Sequence, residues 1–300
     1  MNNKPPRRGV KRRARNTSRE CKRATRLEKY YTKPEVARLC LALLEPYLEP
    51  DTLLIEPSAG AGAFINETDR NIVAFDIDPD ADMIIKRDFL SLPVKLLSSA
   101  AIVGNPPYGR RWKLASQFIN RGLETAGMVA FVLPLTFQKW FAQKTVRSDA
   151  RLVLNHPLPE TAFTHMGNDF DARTTFQVWT LGDKWPDLRL KAKPPSRHPD
   201  FKIIRADACV RRHHPERFAN DNWDFAVPRT GCYDFTEKLW NGDPLVKGRD
   251  YALFSASTPA VRRRLLMIDY QALSRRSTIR PAISWDDVVA VYELLVKEAA

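Results

Sequence analysis

Between residues 53 and 181, short wholly apolar runs alternate with stretches of helical spacing, and this limits the possible fold more than any other feature of the chain. The runs are Leu53-Leu54-Ile55, residues 72–75, Met83-Ile84-Ile85, and residues 100–103, 128–133 and 152–154. Residues 175–181, with three polar side chains among them, read as a further strand. A short helix is expected after the first run, and longer ones around 114–125 and 137–146. Strands with one wet face alternate polar and apolar side chains, whereas strands apolar throughout are covered on both faces. The pattern therefore predicts an α/β fold built on a mostly parallel, doubly wound sheet.

Ahead of this region, Thr32-Lys33-Pro34-Glu35 has capping-box spacing with a proline in the first turn. Val36, Leu39, Cys40, Leu43 and Leu44 then recur at helical spacing until Pro46 and Pro50 close the segment. The ordered catalytic-type domain is expected over 30–190. Residues 191–200, rich in proline and charge, read as a linker. Residues 201–300 read as a smaller α+β region and a candidate for target recognition. It is rich in Trp, Arg and turn residues and closes with a helix from Ser284-Trp285-Asp286-Asp287. Trp223, Trp240 and Trp285 are expected to pack it. Arg211, Arg212, Arg229, Arg262, Arg263 and Arg264 could face a target, and His213-His214 among them suits a phosphate-facing or solvated turn better than a metal site.

Charge is concentrated at one end. Twelve basic residues against two acids in residues 1–29 give that segment +10 of the chain's net +13. Such a block repels itself and cannot bury a core, so it is expected to be a disordered basic arm. Its physical role would be salt-sensitive attachment to phosphate backbones. A solubilising tail is the plainer alternative. No apolar run is long enough to cross a bilayer, and none follows the basic start as in a secretory signal. The expectation is no membrane association. The four cysteines, Cys21, Cys40, Cys209 and Cys232, are scattered without ligand spacing. Reduced thiols, no metal and a cytoplasmic setting are expected, nucleoid-associated if the host is a bacterium or phage.

The chemistry-bearing residues cluster at strand ends. Glu56-Pro57-Ser58-Ala59-Gly60-Ala61-Gly62 follows the first run, where glycines let the backbone approach a ligand and expose N–H groups. The second run ends at Asp76, a position that accepts ribose hydroxyls in doubly wound sheets, although Asp76 and Asp78 would also suit a turn before Pro79. Asp88 follows the third run and Asn105 the fourth. Parallel strands bring all these ends to one edge, where ligands bind. The absence of a full GxGxxG and of a strand-end histidine argues against a dehydrogenase.

The order of these blocks resembles the amino-methylating S-adenosylmethionine-dependent methyltransferases, above all the N6-adenine DNA methyltransferases of gamma-type motif order. The likeness covers about residues 30–181 and implies a Rossmann-like methyltransferase sheet. Tyr31 and Thr32 are similar to the first cofactor-contacting segment. Glu56, Pro57, Ser58, Ala59, Gly60 and Gly62 resemble the glycine loop, Asp76 and Ile77 the ribose-binding strand end, and Asp88 and Phe89 the adenine-contacting block. Asn105-Pro106-Pro107-Tyr108 resembles the catalytic signature. The resemblance implies that the Asn105 side-chain oxygen and the Pro106 carbonyl accept hydrogen bonds from an exocyclic amine. The prolines would hold both acceptors still, and Tyr108 would stack on the ring. For a flipped base, Phe163 is the candidate second aromatic wall and Phe170 the alternative, while Phe176 is expected to pack in a strand.

The implied reaction is methyl transfer to adenine N6 in DNA. RNA (adenine N6 or guanine N2), cytosine N4 and a protein glutamine amide share the same chemistry. A non-catalytic nucleic-acid-binding subunit is the alternative of another class, with any partner nuclease left open.

Overall fold

The computed structural model describes residues 30–93, 99–165, 167–214, 218, 222–277 and 280–298. The basic arm expected over 1–29 lies outside the described residues. Two compact units divide the chain, one ending at Arg189 and one beginning at Leu190.

The first unit is built on strands β2 (Leu53–Glu56), β3 (Ile72–Asp76), β4 (Ile85–Lys86), β5 (Ala100–Gly104), β6 (Met128–Pro134), β7 (Ala150–Pro157) and β10 (Thr174–Leu181). They form one seven-stranded sheet in the order β4-β3-β2-β5-β6-β10-β7. From β4 through β6 the pairing is parallel, and β10 runs antiparallel to both of its neighbours. This is a Rossmann-like sheet, mostly parallel and doubly wound. The chain moves outward through β3 and β4 on one side of β2 and returns to β5 on the other. The switch point therefore falls between β2 and β5, and ligand crevices of such sheets open at the carboxyl ends there.

Apolar side chains cover both faces. On one face α2 (Lys113–Ala126) packs Phe118, Ile119 and Leu123 against Ile102, Val129 and Phe131. On the other, α1 (Pro34–Leu44) packs Val36, Cys40 and Leu44 with Leu54, Val103 and Val178. This two-sided burial is what wholly apolar strands require. Buried Phe176 packs within this second cluster, as a strand residue.

Three local expectations fail. Thr32 does not cap α1. It lies with Tyr31 in β1 (Tyr31–Thr32), paired antiparallel with β8 (Phe163–His165), and extended Lys33 is the uncapped N-cap. The region 137–146 is not one helix. Lys139 is extended (φ −95°, ψ 144°) and separates a 3₁₀ turn at Leu135–Gln138 from α3 (Trp140–Gln143). After the glycine loop the chain makes turns and the 3₁₀ segment Ile65–Glu67 in place of a short α-helix.

The second unit has its own four-stranded sheet in the order β11-β14-β12-β13, from β11 (Phe201–Ala206), β12 (Phe225–Pro228), β13 (Leu239–Trp240) and β14 (Tyr251–Ala256). Helices α5 (Pro259–Met267), α6 (Tyr270–Ser274) and α7 (Trp285–Glu298) cover it, and α4 (Ala208–His213) follows β11. Phe225, Phe254, Tyr270 and Tyr292 fill its core. Trp223 and Trp285 pack as expected, but Trp240 is exposed. Three of the arginines offered for target contact are tied up internally. Arg229 pairs with Asp207 and Asp250, Arg262 with Asp224, and Arg211 donates to the Leu245 and Val246 carbonyls.

Among the described residues no helix is long and apolar enough to cross a membrane, and no group of three or more His, Cys, Asp or Glu could hold a metal ion.

Candidate active site

A cleft of about 390 Å³ opens at the switch point. Its walls come from the ends of β1, β2, β3 and β5 and from the loops that follow them. Tyr31, Thr32, Glu56, Pro57, Ser58, Ala59, Gly60, Asp76, Ile77, Asp88, Phe89, Asn105 and Pro107 all line it. Residues distant in sequence thus converge because parallel strands end on one edge.

Asp76 organises the loop around this cleft. Its Oδ2 accepts from the Gly60 N–H at 2.8 Å and its Oδ1 from the Asp78 N–H at 2.7 Å. The turn-forming role is therefore real, yet each oxygen keeps a second lone pair on a side chain that still lines the cleft. Gly60 has φ +54°, and a Cβ there would stand 3.2 Å from the Tyr31 ring. Only glycine suits both the left-handed backbone and that close approach. Tyr31 is fixed in turn by donating from its hydroxyl to Asp80 Oδ2 at 2.6 Å. Partial burial and that bond push its phenol well above the ordinary range.

Glu56 is only 2% exposed, and its Oε2 has no hydrogen-bond partner among the described residues. Burial first, and the neighbouring Asp76 charge second, hold its carboxyl well above the usual range. A buried acid of this kind is poised for a cation brought into the cleft, since a nearby positive charge favours the ionised form.

Asn105 sits where β5 leaves the sheet. Ser58 donates to its backbone carbonyl at 3.2 Å, tying the glycine loop to the Asn-Pro-Pro turn. Its Nδ2 donates to the Tyr30 carbonyl at 3.4 Å, while its Oδ1 is buried without a partner among the described residues. Leaving such an acceptor unpaired costs about 1–3 kcal/mol. Asp88 caps the 3₁₀ turn Phe89–Ser91 by accepting from Leu90 N–H at 3.0 Å, with the carboxylate still exposed.

Four predicted site residues do not line the cleft. Gly62 and Pro106 are buried within their turns. Tyr108 is half-buried against the apolar cluster around α2. Phe163 is 2% exposed and packs in the core with Val36 and Phe176, so its ring is not an open wall. Its cross-strand partner in β9 (Asn168–Phe170) is Phe170, which is exposed and stands 4.6 Å from the Tyr30 ring, itself 4.7 Å from His165. Tyr30 lines the cleft. This aromatic group at its rim comes from a hairpin that local sequence does not reveal. Leu114 and Phe118 also line the cleft and were missed, although their four-residue spacing on one helix face was a readable signal.

No family model and no curated protein matches the chain. Solved structures with partial likeness include a provisionally assigned modification subunit of a type I restriction enzyme from Vibrio vulnificus YJ016. It is 14% identical, with a TM-score of 0.41, over 58% of this chain and 46% of that one. The type I restriction enzyme EcoKI M protein is 15% identical, with a TM-score of 0.39, over 59% and 48%. The tRNA m1G37 methyltransferase of M. jannaschii is 16% identical, with a TM-score of 0.35, over 52% of each chain. The chain spans about half the length of these proteins. At such scores the strand order, not the likeness, defines the fold.

Proposed function

We propose that the chain is an S-adenosylmethionine-dependent methyltransferase acting on the exocyclic N6 of adenine in DNA. The observation that carries this reading is the unpaired, buried Asn105 Oδ1 in a diproline turn that shares a cleft with the glycine loop.

The residues present fit the cofactor. Asp76 has lone pairs left for a ribose edge, Phe89 and Ile77 offer apolar contact, and Asp88 can accept from an amino group. Gly60 leaves room beside Tyr31, and buried Glu56 gains a counter-charge when a cation enters. The bound cofactor supplies an electrophilic methyl group on a positively charged sulfur.

The chain's own part is positioning and electrostatics. An exocyclic amine attacks poorly because its lone pair is delocalised into the ring. The Asn105 Oδ1 and the Pro106 carbonyl would accept its two hydrogens, drawing the nitrogen toward a pyramidal geometry. Fixed φ at both prolines and the Ser58 tie to the Asn105 carbonyl hold those acceptors in place before substrate arrives. No strong general base is required, because the nitrogen becomes acidic as it gains the methyl group. With Phe163 in the core, exposed Phe170 beside Tyr30 is the better aromatic wall for a base taken out of the stack. The +10 segment at residues 1–29 suits a polyanion.

The test is transfer of labelled methyl to separate DNA, RNA and protein pools by wild type and Asn105→Ala, with cofactor binding followed by calorimetry. Label enters DNA adenine, and Asn105→Ala lowers turnover at least ~10²-fold while cofactor affinity stays largely unchanged. Label in RNA alone moves the substrate, and label in protein alone ends the nucleic-acid reading. Absence of heat with the cofactor leaves a non-catalytic binding subunit.

A further inference from the structure

Immediately after the Asn-Pro-Pro turn, the backbone enters the left-handed region at Gly109 (φ +67°), Arg111 (φ +54°) and Trp112 (φ +52°). Gly109 belongs there, since a Cβ would meet Leu114 Cβ at 2.7 Å. Arg111 and Trp112 do not, and each carries a steric penalty that a glycine would avoid. Strain at two adjacent non-glycine residues beside a functional turn asks what it positions.

The bend sends two arginines to the surface and lays Trp112 against α3. Arg110, Arg111 and Lys113 are exposed, and Trp112 stands 5.4 Å from Phe141, which is 43% exposed. Lys144, also exposed, lies over the Trp140 ring at 4.7 Å. The two segments are locked together by Ser116 Oγ and Thr145 Oγ1 at 2.7 Å and by Asn120 Nδ2 donating to the Thr145 carbonyl. Leu114, on the inner side of the same bend, lines the cleft. Basic groups and open aromatic faces thus form one ledge at the cleft mouth.

The charge on this ledge is not neutralised. None of Arg110, Arg111, Lys113 and Lys144 has an ion-pair partner among the described residues, whereas Arg38, Arg70, Arg147 and Lys184 elsewhere in the unit all do. The sequence explains why. Between Asp88 and Asp149 there is one acid, Glu124, against eight basic residues, and Glu124 pairs with Arg121 near the far end of α2.

Building on the proposed activity, we infer that this ledge is where the nucleic-acid backbone docks beside the cleft. Arg110, Arg111, Lys113 and Lys144 contact phosphates, and Phe141 offers a stacking face to a base displaced next to the target. Phosphate contacts fix position without reading sequence, and stacked aromatics tolerate any base. Held at the exit of the catalytic turn, the bent segment would set the distance between the bound backbone and Asn105.

The experiment uses the full chain and a labelled random-sequence DNA duplex, with binding measured across a salt series. The variant carries Arg110→Ala, Arg111→Gly, Lys113→Ala and Lys144→Ala. Glycine at 111 relieves the left-handed backbone, so lost affinity with an unlowered Tm is not misfolding. Loss of four contacts flattens the plot of log affinity against log salt by about 3–4 and weakens binding at least ~10-fold at moderate salt. S-adenosylmethionine binding stays within about twofold of wild type. A control, Arg38→Ala with Lys184→Ala, removes charges already paired with Glu67 and Glu49 and changes the slope by less than ~1. A quadruple variant with wild-type slope and affinity overturns the ledge while leaving the proposed activity standing. A wild type that binds the cofactor but no duplex overturns the DNA substrate, and the ledge with it.

Discussion

At Glu56 the fold buries a carboxyl group almost completely beside the charge of Asp76, an arrangement that costs stability whenever the group ionises. The sign of the pH dependence follows. Unfolded, the group titrates near 4.5, and folded it titrates well above that value. Between the two the native chain holds one more proton than the unfolded chain. Its stabilising contribution is therefore complete below pH ~4.5 and is lost as pH rises through the folded pKa. Glu56→Gln keeps the shape and removes the titration. Thermal melts from pH 5 to pH 8 will show the variant losing less Tm than wild type over that range. An equal loss in both proteins would place the titration elsewhere. The same carboxyl illustrates what sequence could reveal. Glu56 was legible as a member of the glycine loop, but its unpaired oxygen depends on packing from β3 and β5 that no local pattern encodes.

The elements were readable wherever burial is two-sided. β5 and β6 are apolar throughout because helices cover both faces, and this leaves an unbroken apolar run that a single sequence displays. The β8–β9 hairpin has no such run. Its strands are three residues each, and every residue of β9 is at least partly open to solvent. Phe163 and Phe170 are direct partners and share a face of the hairpin, yet Phe163 is buried and Phe170 exposed because only Phe163 lies on the strand next to β1, more than 130 positions earlier. The Thr32 cap failed for the same reason, since the distant strand engages its backbone first. Helix α2 holds a subtler feature. Gly122 looks like a weak helix residue, but a Cβ there would stand 2.6 Å from Val129 Cγ2 and 3.2 Å from Ile102 Cγ1. The helix lies that close to β5 and β6. Gly122→Ala gains up to ~1 kcal/mol of helix propensity. It also incurs ~1–3 kcal/mol of overpacking, since the neighbours are a β-branched pair on a rigid sheet. The expected outcome is a net loss of about 1 kcal/mol in urea unfolding, whereas a stabilised variant would mean that the helix can lift off the sheet at little cost.

Over the whole molecule, charge and packing are separated along the chain. Among the described residues each unit has its own core, with the first unit's apolar clusters drawn from residues 30–185 and the second unit's from residues 201–296. Residues 1–29 carry +10, and the remaining +3 is spread over the other nine-tenths of the chain. On the proposed function, long-range attraction to a polyanion would reside mainly in the N-terminal segment, and short-range placement would fall to groups near the cleft. Deleting residues 1–28 separates these effects. The truncated chain is expected to keep its Tm and its cofactor affinity, because a segment so dense in like charge has little apolar surface to give to a core. Its affinity for duplex DNA falls, and the salt slope flattens by ~0.9 for each phosphate contact that the segment made. Electrostatic steering also predicts that the association rate drops more than the dissociation rate rises, most clearly at low salt. Stopped-flow binding of full-length and truncated chains across a salt series measures both. An unchanged slope with unchanged rates would assign the N-terminal charge to solubility and leave nucleic-acid attachment to the cleft rim alone.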